Sequence, residues 1–213
     1  MTERILKIDP EKPQKDFIDE AARTIKNGGV IAFPTRSLYG LGADALNPDA
    51  VQKIFEIKKR PLDKPILVLI KDKDSISDIA KNIPPLAIRL MDTFWPGNVT
   101  IVLKANPDLP SALTAGTGKI GVRLPQHPVA SALVKAFERP LTGTSANISG
   151  VQGCSRVSDL DFEVKTKLDL ILDAGTLKKG QGSTVVDVTT NPSKVLREGE
   201  ILEKDIQDFI SLS

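Results

Sequence analysis

The chain has 213 residues, 40% of them apolar, which suits a single α/β domain with a real core. Lys and Arg number 29 against 27 Asp and Glu, so global charge offers no case for nucleic-acid binding and any basic site must be local. One cysteine, Cys154, and one histidine, His127, exclude an internal disulfide, a cysteine metal cage and most zinc sites, and they disfavour a histidine base.

No apolar run approaches the ~20 residues of a bilayer span. The opening "MTERILKIDPEK" lacks the apolar core of a signal peptide, so a soluble, cytoplasmic protein is expected. "DFIDEAARTIKNGG" sets Phe17, Ala21 and Ile25 four apart, beside Ile18 and Ala22; this predicts a helix ended by Gly28. "VIAF" reads as a short buried strand stopped by Pro34. "NPDAVQKIFEIKK" predicts a helix with Asn47 as N-cap, Pro48 at its first position, and Val51, Ile54, Phe55 and Lys58 on one face. "PILVLI" is a continuous apolar run of the kind found in strands buried on both faces. Two short helices are expected around 75–82 and 86–95, split by Pro84 and Pro85. "PGNVTIVLKA" and "IGVRLP" read as strands, "HPVASALVKAF" as a helix and "RPLTGTSANISG" as a strand running into a loop. "LDLILDAG", "STVVDVT" and "SKVLREG" are three further strands, and "EKDIQDFISLS" is a terminal helix.

This order predicts one domain, 1–213, with a twisted mixed β-sheet and helices packed on it rather than a strict βαβ repeat. The loosest stretch, 149–158, reads as loop rather than boundary. Three familiar signatures fail. "GLGADA" from Gly40 is separated from its strand by Pro34, unlike a dinucleotide turn. "LTAGTGKI" has Leu113 and Ile120 where a P-loop needs glycine and a hydroxyl. "NIS" at Asn147 is an empty glycosylation sequon in a cytosolic chain.

The stretches that hold are polar groups at strand and helix ends. Pro61 disfavours helix at Arg60, so the chain is expected to leave the helix extended near Lys58. Residues two apart on an extended exit face the same way, which lets Lys58 and Arg60 converge on one ligand. A point charge beside a planar fork suits phosphate; the same cations also suit a solvated last turn facing the helix dipole. "TSANISG" repeats the spacing with Ser145 and Asn147 beside Thr144, groups fit for phosphate oxygens or hydroxyls, or for a polar turn. Thr35 and Ser37 leave a strand end on one side. Arg123 inside an apolar strand is costly unless paired. Ser183 and Thr184 start a strand after a glycine-rich turn, and Arg197 ends one. Strand termini of this kind are where α/β ligand sites lie.

Together "PTRSLYGLGADA", "IFEIKKRPLDKPILVLI", "FWPGNVTIVL", "IGVRLPQHP", "TSANISG", "GSTVVDV" and "LREG" resemble the YrdC-type family, the threonylcarbamoyl-AMP synthases, from about residue 15 to 200. The length is similar to the single-domain form. The resemblance implies an α/β fold with a concave basic face. It also implies formation of threonylcarbamoyl-AMP and pyrophosphate from L-threonine, bicarbonate and ATP, with Mg2+ carried by the ATP phosphates. Transfer proteins then place the group at position 37 of tRNA. By motif matching, Lys58, Arg60, Ser145 and Asn147 would form the catalytic set. Lys64 and Arg197 would join them on the nucleotide, and Thr35, Ser37, Arg123, Thr144 and Ser183 would receive threonine. Arg36, Ser37 and Leu69 depart from the residues common in the family, the first two from an acid followed by threonine and the last from histidine. Two other readings stand beside this one. A double-stranded RNA or tRNA module would bind weakly through phosphates, although aromatics for stacking are only 4% of the chain. A catalytically silent member of the same fold would bind nucleotide without turnover.

Overall fold

The computed structural model describes residues 4–178 and 180–211. Strand β1 (Ile5–Lys7) and helix α1 (Lys15–Lys26) lead into strands β2 (Ile31–Pro34) and β3 (Tyr39–Gly42) and helix α2 (Pro48–Lys58). Strand β4 (Val68–Leu69), helix α3 (Pro85–Phe94), strand β5 (Val99–Lys104), the single turn α4 (Ser111–Thr114), strand β6 (Lys119–Arg123) and helix α5 (Pro128–Phe137) follow. The remainder is β7 (Leu141–Thr142), β8 (Thr144–Ser145), α6 (Phe162–Lys165), β9 (Leu170–Asp173), β10 (Thr184–Asp187), β11 (Lys194–Arg197) and α7 (Glu203–Ser211).

The mixed α/β character expected from the sequence is present, but the strands form two sheets. Their orders are β1-β9-β2-β3-β8 and β11-β10-β5-β6-β4-β7. The segment read as one strand, "LTGTS", is the crossing point: β7 pairs with β4 in one sheet and β8 with β3 in the other. Gly143 makes the change, because a Cβ there would stand 2.7 Å from Leu67 Cδ1 and 3.0 Å from Leu69 Cγ. One core cluster joins the sheets, with Ala32, Leu41 and Ile171 from the first and Val68, Ile101, Val122 and Val186 from the second. A second cluster packs α1 and α5 on β2 and β9 through Ile18, Ile25, Leu133, Phe33 and Leu170.

Other local departures have simple causes. "YGLG", which overlaps the stretch tested as a dinucleotide turn, is strand β3. The Thr35 hydroxyl donates to Leu38 O at 2.6 Å and closes the turn of a β2–β3 hairpin. The helix expected at 75–82 is a 3-10 turn, Asp74–Asp78, where Asp72 and Ser side chains bond the local backbone instead of leaving it to an α-helix. In "PILVLI" only Val68–Leu69 is laddered, although Ile66 and Ile70 are also buried. The turns α4 and α6 were not foreseen.

Candidate active site

A cavity of about 610 Å3 lies on one face of the second sheet. Its floor alternates along the strands, with Thr100 and Val102 from β5, Gly121 and Arg123 from β6, and Val185 and Asp187 from β10. The β2–β3 turn, β8 and the loop before β10 wall it. Of the residues singled out in the sequence, Thr35, Ser37, Arg60, Arg123, Thr144, Ser145, Ser183 and Arg197 line it; Lys58, Lys64 and Asn147 do not.

At the β6 end, Arg123 is half-buried, and its Nε is enclosed with no hydrogen-bond partner among the described residues. Burial, reinforced by the Arg197 charge and opposed by Glu200, pushes its guanidinium down to about 10, which leaves it charged at neutral pH. Arg197 donates through Nη2 to Ser183 O at 2.7 Å and to Ser183 Oγ at 3.2 Å. Ser183 Oγ lies 2.8 Å from Thr100 Oγ1. This chain fixes one cation beside another whose donors are not all used. A half-buried guanidinium in that state calls for an anionic ligand.

At the α2 end the sequence expectation needs correction. The helix does not run into an extended exit: Lys59 is left-handed at φ 47°, Lys59 N–H donates to Glu56 O and Arg60 N–H to Phe55 O, as in a Schellman cap. That cap sends Lys58 and Arg60 different ways. Lys58 is 1% exposed, and its ammonium donates to the carbonyls of Ser145 and of Asn147, the latter at 2.8 Å. Its own carbonyl accepts from Ser149 N–H at 2.7 Å. Burial first, then the Arg60 charge, push this ammonium down to about 7. Arg60 reaches the cavity wall, braced by Nε to Lys64 O at 3.0 Å and Nη2 to Pro65 O at 2.8 Å. Lys64 therefore contributes its carbonyl, while the residue itself is exposed. Asn147 turns Nδ2 onto Ile148 O and Val151 O, a use that closes its own loop.

Several lining residues were not anticipated. Lys119 pairs with Asp187 at 2.9 Å, and both face the cavity. The period-two set Lys119, Gly121, Arg123 on β6 carried that signal, since it puts Lys119 on the face of Arg123. At the rim, Arg36 pairs with Glu200 at 2.9 Å, and Asn98 Nδ2 also donates to Glu200. Leu69 is fully buried against Gly143 and takes no part in the lining. Among the described residues, the lining thus sets Arg60, Lys119, Arg123 and Arg197 against the single carboxylate of Asp187, a locally basic concavity on a chain whose formal net charge is only +2. Among the described residues, no helix is long and apolar enough to cross a membrane.

The family model described as "Telomere recombination", for Sua5, YciO and YrdC, matches residues 23–199. A threonylcarbamoyl-AMP synthase of Pyrococcus abyssi is 38% identical over 190 residues, which is 89% of this chain and 56% of that protein. The structure of Sua5 from P. abyssi in complex with L-threonine superposes with a TM-score of 0.91 at 37% identity, over 96% of this chain and 60% of that one. That of YciO from E. coli gives 0.84 at 30% identity, over 93% and 96%. The chain spans little more than half the length of the Pyrococcus synthase. With the match covering most of its length and every residue that lines that cavity, the chain belongs to the Sua5/YciO/YrdC family.

Proposed function

We propose that this chain is an L-threonylcarbamoyladenylate synthase, acting on L-threonine, bicarbonate and ATP. The carrying observation is Arg123: a half-buried cation whose enclosed Nε has no partner among the described residues, in a cavity wide enough for a nucleotide and an amino acid. It would clamp the threonine carboxylate, with Thr35, Ser37, Thr144 and Ser183 supplying hydroxyls around the rest of the amino acid. The threonine complex of the Pyrococcus relative supports an amino-acid subsite in this fold.

The chemistry fits a basic, hydroxyl-rich site without a histidine base. Threonine's amine and bicarbonate give a carbamate and water. A carbamate oxygen then bonds to the α-phosphorus of ATP, the bond from that phosphorus to its bridging oxygen breaks, and pyrophosphate leaves. Such a step needs charge neutralisation and alignment more than proton transfer. Arg60 and Arg197 would face the phosphates, with Ser145 beside them. Lys58 and Asn147 would act by holding the 145–149 loop, not by touching substrate. Lys64 would act only through the carbonyl that braces Arg60. Magnesium would enter as part of the ATP substrate, because Asp187, the carboxylate in the lining, is already paired with Lys119. The adenylate would pass to proteins that transfer the group to tRNA.

The test is incubation with magnesium-ATP, L-threonine and bicarbonate, following pyrophosphate and the mass of the adenylate. Release should require both threonine and bicarbonate, and need no RNA. Equal release from ATP alone would make the protein an ATPase and end the proposal.

A further inference from the structure

Beyond the cavity floor, the second sheet ends in a row of lysines. Lys104 on β5 stands directly opposite Lys119 on β6. On the other side of β5, Ala80 bridges Ala105 antiparallel, and Lys81 N–H donates to Lys104 O at 3.0 Å, so Lys81 sits beside Lys104. Like charges directly opposite in a sheet are destabilising. Asp187 relieves Lys119, but among the described residues neither Lys81 nor Lys104 has an ion-pair partner, and both are exposed. The fold therefore keeps Lys81 beside Lys104 with no acid of the described residues paired to either.

The row opens into a second cavity of about 510 Å3, whose lining includes all three lysines and the hydroxyls of Thr117 and Thr189, and no carboxylate. Thr117 and Lys119 line both cavities, so the two are neighbours across one wall. Next to Thr117, Gly116 and Gly118 hold φ of +69° and +65°, with open space where a Cβ would stand, which keeps that wall thin and accessible.

We propose that Lys81, Lys104 and Lys119 form a condensed-phosphate subsite adjoining the nucleotide cavity, taking inorganic pyrophosphate or the β,γ end of ATP. Three cations side by side, on β6, on β5 and on the segment bridged to it through Ala80, about 5 Å apart per chain, match a small anion carrying several charges on two phosphorus atoms. An extended nucleic-acid track fits less well, since Asp78 and Asp108 flank the row in sequence. That pyrophosphate would be produced next door rests on the synthase reading; that the row binds it does not.

The experiment compares the full chain with Lys81→Gln/Lys104→Gln by calorimetric titration of pyrophosphate, ATP, AMP and duplex RNA. Pyrophosphate affinity should fall on the order of tenfold, as for lost charge-assisted contacts, while AMP affinity stays within about twofold, less than the free-energy step of a single tenfold change. If ATP weakens in parallel, the row holds the β,γ end; if only pyrophosphate weakens, it holds the leaving group. Thermal stability should be equal or higher, because the repulsion is relieved. Lys104→Gln alone gives the same reading if the double variant does not fold. Unchanged pyrophosphate and ATP affinity would overturn the proposal, as would no measurable pyrophosphate binding by the parent chain or a loss confined to duplex RNA. Absence of adenylate formation with pyrophosphate binding intact would count against the synthase reading alone.

Discussion

Lys58 at the end of α2 and Arg123 at the end of β6 are both cations drawn at least partly out of water, yet the protein uses them in opposite ways. Lys58 gives its ammonium to two backbone carbonyls and takes a third contact through its own carbonyl. Arg123 keeps an enclosed Nε with no partner to donate to among the described residues. Burial of a charge is costly in both places. At Lys58 the cost is met in part by structure, through the carbonyls of Ser145 and Asn147 that its ammonium holds. At Arg123 it is left for a ligand to meet. What separates a structural cation from a ligand-binding one is the donors it has left, not its charge or its depth.

The sharpest way to break this comparison is Arg123→Gln. If Arg123 meets the substrate carboxylate, kcat/KM for threonine should fall about 10²–10³-fold, the scale of removing one preorganised charged donor. The melting temperature should hold or rise, because an unpaired buried charge is gone. Adenylate formation across a threonine titration, together with thermal melting, checks both. A variant that melts early yet turns over normally would make Arg123 a structural cation like Lys58.

Lys58→Met should act next most strongly, through position. Loosening the Ser145–Asn147 loop should lower kcat by roughly ten- to a hundredfold, as for small misplacements of a site, while KM for threonine holds. A pH signature separates this from general damage. Lys58 titrates near 7 when folded, against 10.5 for an ordinary lysine. Between those values the unfolded chain binds the proton and the folded chain does not. Stability from this group therefore rises with pH across that window, and below it the full burial cost returns. The melting temperature of the parent chain should climb relative to Lys58→Met from pH 7 to pH 9.5. A constant difference would mean that Lys58 is not buried as a titrating ammonium.

The split between these two cations marks what the sequence could and could not tell. Arg123 was legible, because a cation in the apolar strand "IGVRLP" has few explanations. Asn47, Pro48 and the spacing of Val51, Ile54 and Phe55 likewise placed α2 and its buried face. The pairing of Lys58 with Arg60 was misread, because Pro61 argues for an extended exit, whereas one left-handed residue, Lys59, turns the chain instead. Lys59 is not the glycine or asparagine that usually announces such a turn. The division into two sheets was hidden for a related reason. It depends on Gly143 passing between Leu67 and Leu69, residues more than 70 positions earlier, and no local pattern reports that contact. Strand β3 is hard to see in the sequence because "YGLG" alternates apolar residues with glycines, which are weak strand formers.

The smallest effect is expected at Arg36, the third kind of cation in this molecule. Its guanidinium meets Glu200 at the rim with its side chain 54% exposed, and Glu200 is separately anchored by Asn98. The pair ties the β2–β3 turn to the segment after β11, next to Ser37 and Arg123, which line a small shared gap. An exposed pair is worth about 0–1 kcal/mol and is screened by salt. Arg36→Ala should therefore lower stability by less than about 1 kcal/mol and change activity by no more than a few-fold, about what that energy allows. Both differences should shrink as salt is raised, because the alanine removes only an attraction that ions already weaken. Activity and melting temperature at low and high salt provide the measurement. A large activity loss that persists at high salt, with stability unchanged, would mean that Arg36 donates into the cavity when substrate is bound. It would then belong with Arg123, as a cation whose donors are reserved for a ligand.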